Sequence, residues 1–135
     1  MRTSFAAAIA GVFALTAASS ALAAAKDYRF QLAGTPQKEG KDTSVVSVKL
    51  VHLPDSKLVA GAIIIQTKAD MAPIGMAAMG APAKALPEQP AGTYRFEIPN
   101  GTVWKKPDNW ELTLDAKVQG EPETVHGKIV VRLEP

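Results

Sequence analysis

Three methionines stand close together in Asp70-Met71-Ala72-Pro73-Ile74-Gly75-Met76-Ala77-Ala78-Met79, and the chain has four in all, the other being Met1. A thioether sulfur is a soft, neutral donor. It suits Cu(I) or Ag(I) and is poor for zinc, magnesium or calcium. It has no proton to lose, so a site built from it binds with little dependence on pH, unlike a thiolate or imidazole site. It is also not consumed by disulfide formation in an oxidising compartment. The chain has no cysteine, so beyond Met1 these sulfurs are its only soft donors. Met71, Met76 and Met79 are therefore candidate ligands for Cu(I). The same residues carry two other readings. Methionine is an adaptable gap-filler, so the three side chains could plug the open end of a sandwich, or they could present a surface to a protein partner.

Little else in the sequence supports chemistry. His52 and His126 are the only imidazoles. An ordinary surface role is the expectation for both, with a nitrogen added to a methionine site as the alternative. Two histidines and no cysteine exclude a multi-histidine metalloenzyme, a thiolate zinc site, an iron–sulfur cluster and a cysteine nucleophile. No Ser–His–acid order or nucleophile motif stands out, so the chain is not expected to be an enzyme. A formal net charge of +2 does not suggest nucleic acid as a partner. Gly34, Gly40 and Gly75 form no phosphate loop. Trp104 lies in a turn, where it could stack on a cation or pack on a rim.

The elements that must position the methionines read as strands. Tyr28, Phe30 and Leu32 alternate with charged and polar neighbours, and Val46, Val48 and Leu50 do so within 43–52. Tyr94, Phe96 and Ile98 follow the same pattern. Trp110, Leu112, Leu114, Ala116 and Val118 give the clearest period of two, and Val125, Ile129, Val131 and Leu133 close the chain. Ile63–Ile65 forms an unbroken apolar run, expected to be buried on both faces. Turn residues separate these segments at 53–57, 99–101 and 120–122. The expectation is an all-β fold, an antiparallel immunoglobulin-like β-sandwich of six to seven strands in one domain, 24–135, with a small barrel as the runner-up. Residues 69–91 carry Pro73, Pro82, Pro87 and Pro90 and the three methionines. Pro73 and Gly75 interrupt a helix, and methionine spacings of five and three fit no single strand face. This stretch reads as one long connecting loop.

Residues 1–23 read as a signal peptide. Arg2 supplies the positive start, Phe5 to Ala18 is apolar, and Ala21-Leu22-Ala23 is a small-x-small cleavage signal, with Ala25 as the second choice. The apolar run is short for a bilayer span, so no stable membrane span is expected after cleavage. No cysteine follows the cleavage signal, which excludes lipid attachment there. The expected location is periplasmic.

Five segments together resemble a known family. They are Val46–Leu50, Leu58–Ile65, Met71-Ala-Pro-Ile-Gly-Met-x-x-Met79, Ala91-Gly-Thr-Tyr-Arg-Phe96 and Asn109-Trp-Glu-Leu-Thr-Leu114. They resemble the YtkA-like and FixH-like group of exported domains over most of residues 43–133. Asn109 stands where that group usually has glycine. FixH proteins proper also keep a membrane anchor, which cleavage would remove here. The resemblance implies an immunoglobulin-like sandwich outside the cytoplasmic membrane, in support of heavy-metal efflux or copper delivery to a terminal oxidase. It carries Met71, Met76 and Met79 over as the metal residues, with a pump or an oxidase assembly component as the partner.

Overall fold

The computed structural model describes residues 25–135, so the export segment read at 1–23 lies outside the described residues. Ten strands follow in chain order: β1 (Tyr28–Leu32), β2 (Gln37–Glu39), β3 (Thr43–His52), β4 (Lys57–Leu58), β5 (Ile63–Met71), β6 (Met76–Ala81), β7 (Lys84–Ala85), β8 (Thr93–Ile98), β9 (Asp108–Lys117) and β10 (Val125–Leu133). Seven of them run to five residues or more, and β2, β4 and β7 are short additions. One sheet has the order β1-β3-β8-β7, with β2 and β4 also pairing with β3; the other has the order β10-β9-β5-β6. All pairings are antiparallel. This is the connectivity of an immunoglobulin-like sandwich, with the first and second long strands in one sheet and the third crossing to the other. Among the described residues no helix is long and apolar enough to cross a membrane.

The strands form where the sequence alternates, because a period of two puts every second side chain on the covered face. Val46, Val48, Leu50, Phe96 and Ile98 on one sheet meet Trp110, Leu112, Leu114 and Leu133 on the other, and all are essentially inaccessible to water. They belong to one continuous core. The crossing from β4 to β5 is pinned by polar groups. The Tyr94 hydroxyl donates to the Val59 carbonyl (2.7 Å) and accepts from the Ala62 amide (3.0 Å). The Glu88 carboxylate accepts from the Gly61 amide (3.1 Å) and the Gly92 amide (2.6 Å).

Three sequence expectations need correction. The stretch 69–91 is not one loop. It contains the end of β5, a 3₁₀ turn at Ala72–Ile74, and strands β6 and β7. Its small residues, poor in alternation, hid β6, which pairs with β5 and packs Met76, Met79 and Ala81 on the core. Ile63–Ile65 is not buried on both faces, since Ile63 and Ile65 are 65% and 54% exposed. Ile64 lies opposite Ala116 and Gln66 opposite Asp115, so Ile65 is the extra residue of a β-bulge. β6 covers the edge of β5 only from Ala69 to Met71. Leu32 was expected inside but is 38% exposed, because β1 ends there and the sheet edge passes to β2.

At the end of the sandwich that holds His52, the Tyr28 hydroxyl donates to Glu121 Oε2 (3.0 Å). Burial, and then this contact with a carboxylate, push the Tyr28 phenol from 10.0 to about 12. Burial likewise raises Tyr94, and these are the only two tyrosines. A group whose folded pKa lies above its unfolded value contributes stability that is complete below the unfolded value and lost as pH rises through the folded one. For Tyr28 that window is pH 10.0 to about 12. Ultraviolet titration of the folded protein should show the Tyr28 transition displaced from 10.0 to about 12, with Tyr94 displaced in the same direction. Glu121→Gln should lower the Tyr28 midpoint without restoring the ordinary value, because burial is the larger cause. A native midpoint near 10.0 with the fold intact would contradict this.

Candidate functional site

The three methionines lie on one hairpin. Asp70 starts it: its Oδ1 accepts the Ala72 amide (2.9 Å), and Lys68 Nζ stands 3.5 Å from Oδ2. An aspartate that bonds the main chain two residues on makes a turn. Pro73 then sits in the first positions of the 3₁₀ turn, and Gly75 closes it in the left-handed region (φ 79, ψ 16), its amide bonding the Ala72 carbonyl. A side chain at that φ would be strained. The Asp70 carboxylate is 4% exposed although it lies on the outer face of its sheet. The sequence signal for this turn is aspartate followed by proline and glycine at fixed offsets, Asp70, Pro73 and Gly75.

The turn sets Met71 and Met76 directly opposite each other across the hairpin. Side chains at such positions start about 5 Å apart at Cβ and lie on the same face. The register then jumps: Asp70 pairs with Gly80 while Met71 pairs with Met76, leaving Ala77, Ala78 and Met79 as a bulge on β6. Met71 is 0% exposed and belongs to the core. Met76 and Met79 are half-buried and pack against the same core. The hairpin therefore offers one sulfur inside the sandwich and two at its rim. None of the three titrates, and the carboxylate nearest in sequence, Asp70, is already engaged.

Val103 and Trp104 close this end of the sandwich. β8 leaves at Ile98 through a 3₁₀ turn at Asn100–Thr102, and β9 begins at Asp108, with Glu111 opposite Asp70. Trp104 and Val103 pack on the same core as Met76 and Met79. The Trp104 indole N–H is buried and lacks a hydrogen-bond partner among the described residues. Lys106 Nζ lies 6.0 Å from the Trp104 ring centre, at the limit of a cation–π contact.

The histidines are elsewhere, each against a carboxylate away from the methionine hairpin. His126 lies opposite Asp115 on β9, four residues along from the Glu111 that faces Asp70. At strand rise that is about 13 Å. Its Nδ1 is 2.6 Å from Asp115 Oδ1, on the solvent side. His52 stands eight residues along β3 from Ser44, which pairs with Ile98 at the methionine end; that is about 26 Å. It is occupied by Asp55 (3.0 Å) and the Tyr28 ring (5.0 Å between centroids). The bond from His52 holds the Asp55 carboxyl below its ordinary range. Among the described residues no group of three or more His, Cys, Asp or Glu side chains is arranged to hold a metal ion. Thioether donors fall outside that set.

No family model, no curated protein and no solved structure matches the chain.

Proposed function

We propose that the domain is a periplasmic accessory module that holds Cu(I) at the methionine hairpin, in support of heavy-metal efflux or copper delivery to an oxidase. It is a carrier and not a catalyst. The observation that carries this reading is the hairpin register, which sets Met71 opposite Met76 and keeps Met79 in the adjoining bulge. Two soft donors at the rim over a third beneath them suit entry of a soft monovalent ion from solvent. The residues fit that ion and no harder one, because no free carboxylate or imidazole joins them. When bound, Cu(I) would gain a neutral thioether shell, and the chain would supply orientation through the Asp70 turn.

Titration of the purified domain with Cu(I) against a competing chelator tests this. Binding tighter than micromolar, abolished when Met71, Met76 and Met79 are all changed to Leu, supports it. Absence of such binding, or binding unchanged in the triple variant, overturns it. Leucine keeps the packing and removes only the donor atom. A second reading rests on the complete burial of Met71: the hairpin is a metal-free plug that closes the sandwich and leaves the domain to dock a partner. That reading predicts intact stability in the leucine variant and no response to Cu(I).

A further inference from the structure

The second sheet ends on β10 at the side away from the methionine hairpin. Among the described residues β10 pairs with β9 without interruption from Val125 to Leu133 and with no other strand. The facing edge of the first sheet passes from β1 to β2 at this point. Between the two edges lies a groove of about 510 Å³, lined by Leu32, Pro36, Val130, Val131 and Arg132 among others. Phe30 packs over Gly127 and closes one end, so the open stretch of β10 begins at Lys128.

Along that stretch the outward side chains are Lys128, Val130 and Arg132. Val130 is 56% exposed, an apolar residue between two cations. Among the described residues neither Lys128 nor Arg132 forms an ion pair. Glu111 lies opposite Val130 on β9, between them. Lys38 across the groove is already committed to the main-chain oxygens of Lys41 and Pro135. Glu134, beyond Arg132, is the one carboxylate in the lining.

We propose that this edge of β10 is a strand-addition site for an extended segment of a partner protein with the pattern acidic–x–apolar–x–acidic. An unpaired strand edge offers main-chain donors and acceptors to an incoming strand. Alternation then places every second residue of that strand beside Lys128, Val130 and Arg132. Opposite charges and apolar pairs at such positions are favourable, and like charges are not. The intervening positions face Leu32 and are apolar. A second copy of this chain fits poorly, because two-fold pairing of β10 about Val130 sets Lys128 against Arg132. The site is three strands away from the methionine hairpin, about 14 Å across the sheet, and requires no metal.

Two synthetic peptides test this on the domain: one with a Glu-Val-Val-Val-Glu core and one with Lys-Val-Val-Val-Lys. Backbone NMR should show amide shifts and slowed exchange from Lys128 to Leu133 with the acidic peptide, and binding at least tenfold weaker with the basic one. The double variant Lys128→Glu, Arg132→Glu should reverse that preference while its backbone NMR spectrum remains that of the folded domain. No binding at millimolar peptide, no discrimination by charge, or perturbation centred on the exposed Ile63 and Ile65 would overturn the proposal. So would concentration-dependent dimerisation through β10.

Discussion

Met71→Ala is expected to lower the stability of the domain by about 2–5 kcal/mol, the range for emptying a buried large side chain. Met71 is 0% exposed and sits in the core with Trp110 and Leu112. Its removal leaves a cavity that the β5 backbone, paired with β6 at Met71 and with β9 up to Asp70, cannot collapse to fill. In thermal unfolding this corresponds to a fall of roughly 10 °C or more for a domain of this size. Met76→Ala and Met79→Ala should cost less, because both side chains are already half in water. Met71→Leu should cost under about 1.5 kcal/mol, because volume is retained.

These variants also separate packing from donation. If Met71 is a ligand, Met71→Leu weakens Cu(I) binding while leaving the unfolding transition nearly in place. If it is only a plug, Met71→Leu leaves both unchanged and Met71→Ala moves the transition alone. A stability loss below about 1 kcal/mol for Met71→Ala would refute the account of the hairpin as anchored through this side chain.

Gly127→Ala is expected to cost about 2 kcal/mol, within the range for overpacking a filled core, although alanine is ordinarily no worse than glycine in a strand. A Cβ on Gly127 would stand 2.5 Å from Phe30 Cδ2, 3.2 Å from Cγ and 3.3 Å from Cβ. These atoms are the root of a ring that is 6% exposed. The ring cannot yield at its tip, so it must swing away and leave the space between β1 and β10. A double-mutant cycle identifies this contact as the cause. In a Phe30→Ala background the clash has no partner, so Gly127→Ala should cost almost nothing, and the difference between the two backgrounds is the coupling. Equal costs in the two backgrounds would show that the glycine serves some other purpose.

The two variants mark what could be read along the chain and what could not. The alternation of Val46, Val48 and Leu50, and of Trp110, Leu112 and Leu114, named the buried face correctly, because a strand with one covered face imposes a period of two on its own sequence. The class of fold and most of the core follow from that local rule. The methionine cluster was visible for the same reason, since its residues are neighbours in sequence. Phe30 and Gly127 are not neighbours, and no pattern in either segment indicates that they touch. The Ile63–Ile65 run shows the same limit. Three isoleucines in succession mark a strand, but whether a neighbour lies along it depends on how far β6 extends, and the pairing of β6 reaches only Ala69 of β5.

The sequence by itself determined six of the seven long strands, most of their inward faces and the choice of thioether as the only soft donor. Tertiary structure decided the rest of the site. Pairing of β5 with β6 turned the expected loop into a hairpin, brought Met71 and Met76 face to face, and put one sulfur inside the core and two at its rim. The pairings of β3 and β10 set His52 and His126 away from the hairpin. Side-chain alternation is a property of one strand and is written into it. Register, edge coverage and the ends of a sandwich arise between strands far apart in the chain, and only their packing settles them.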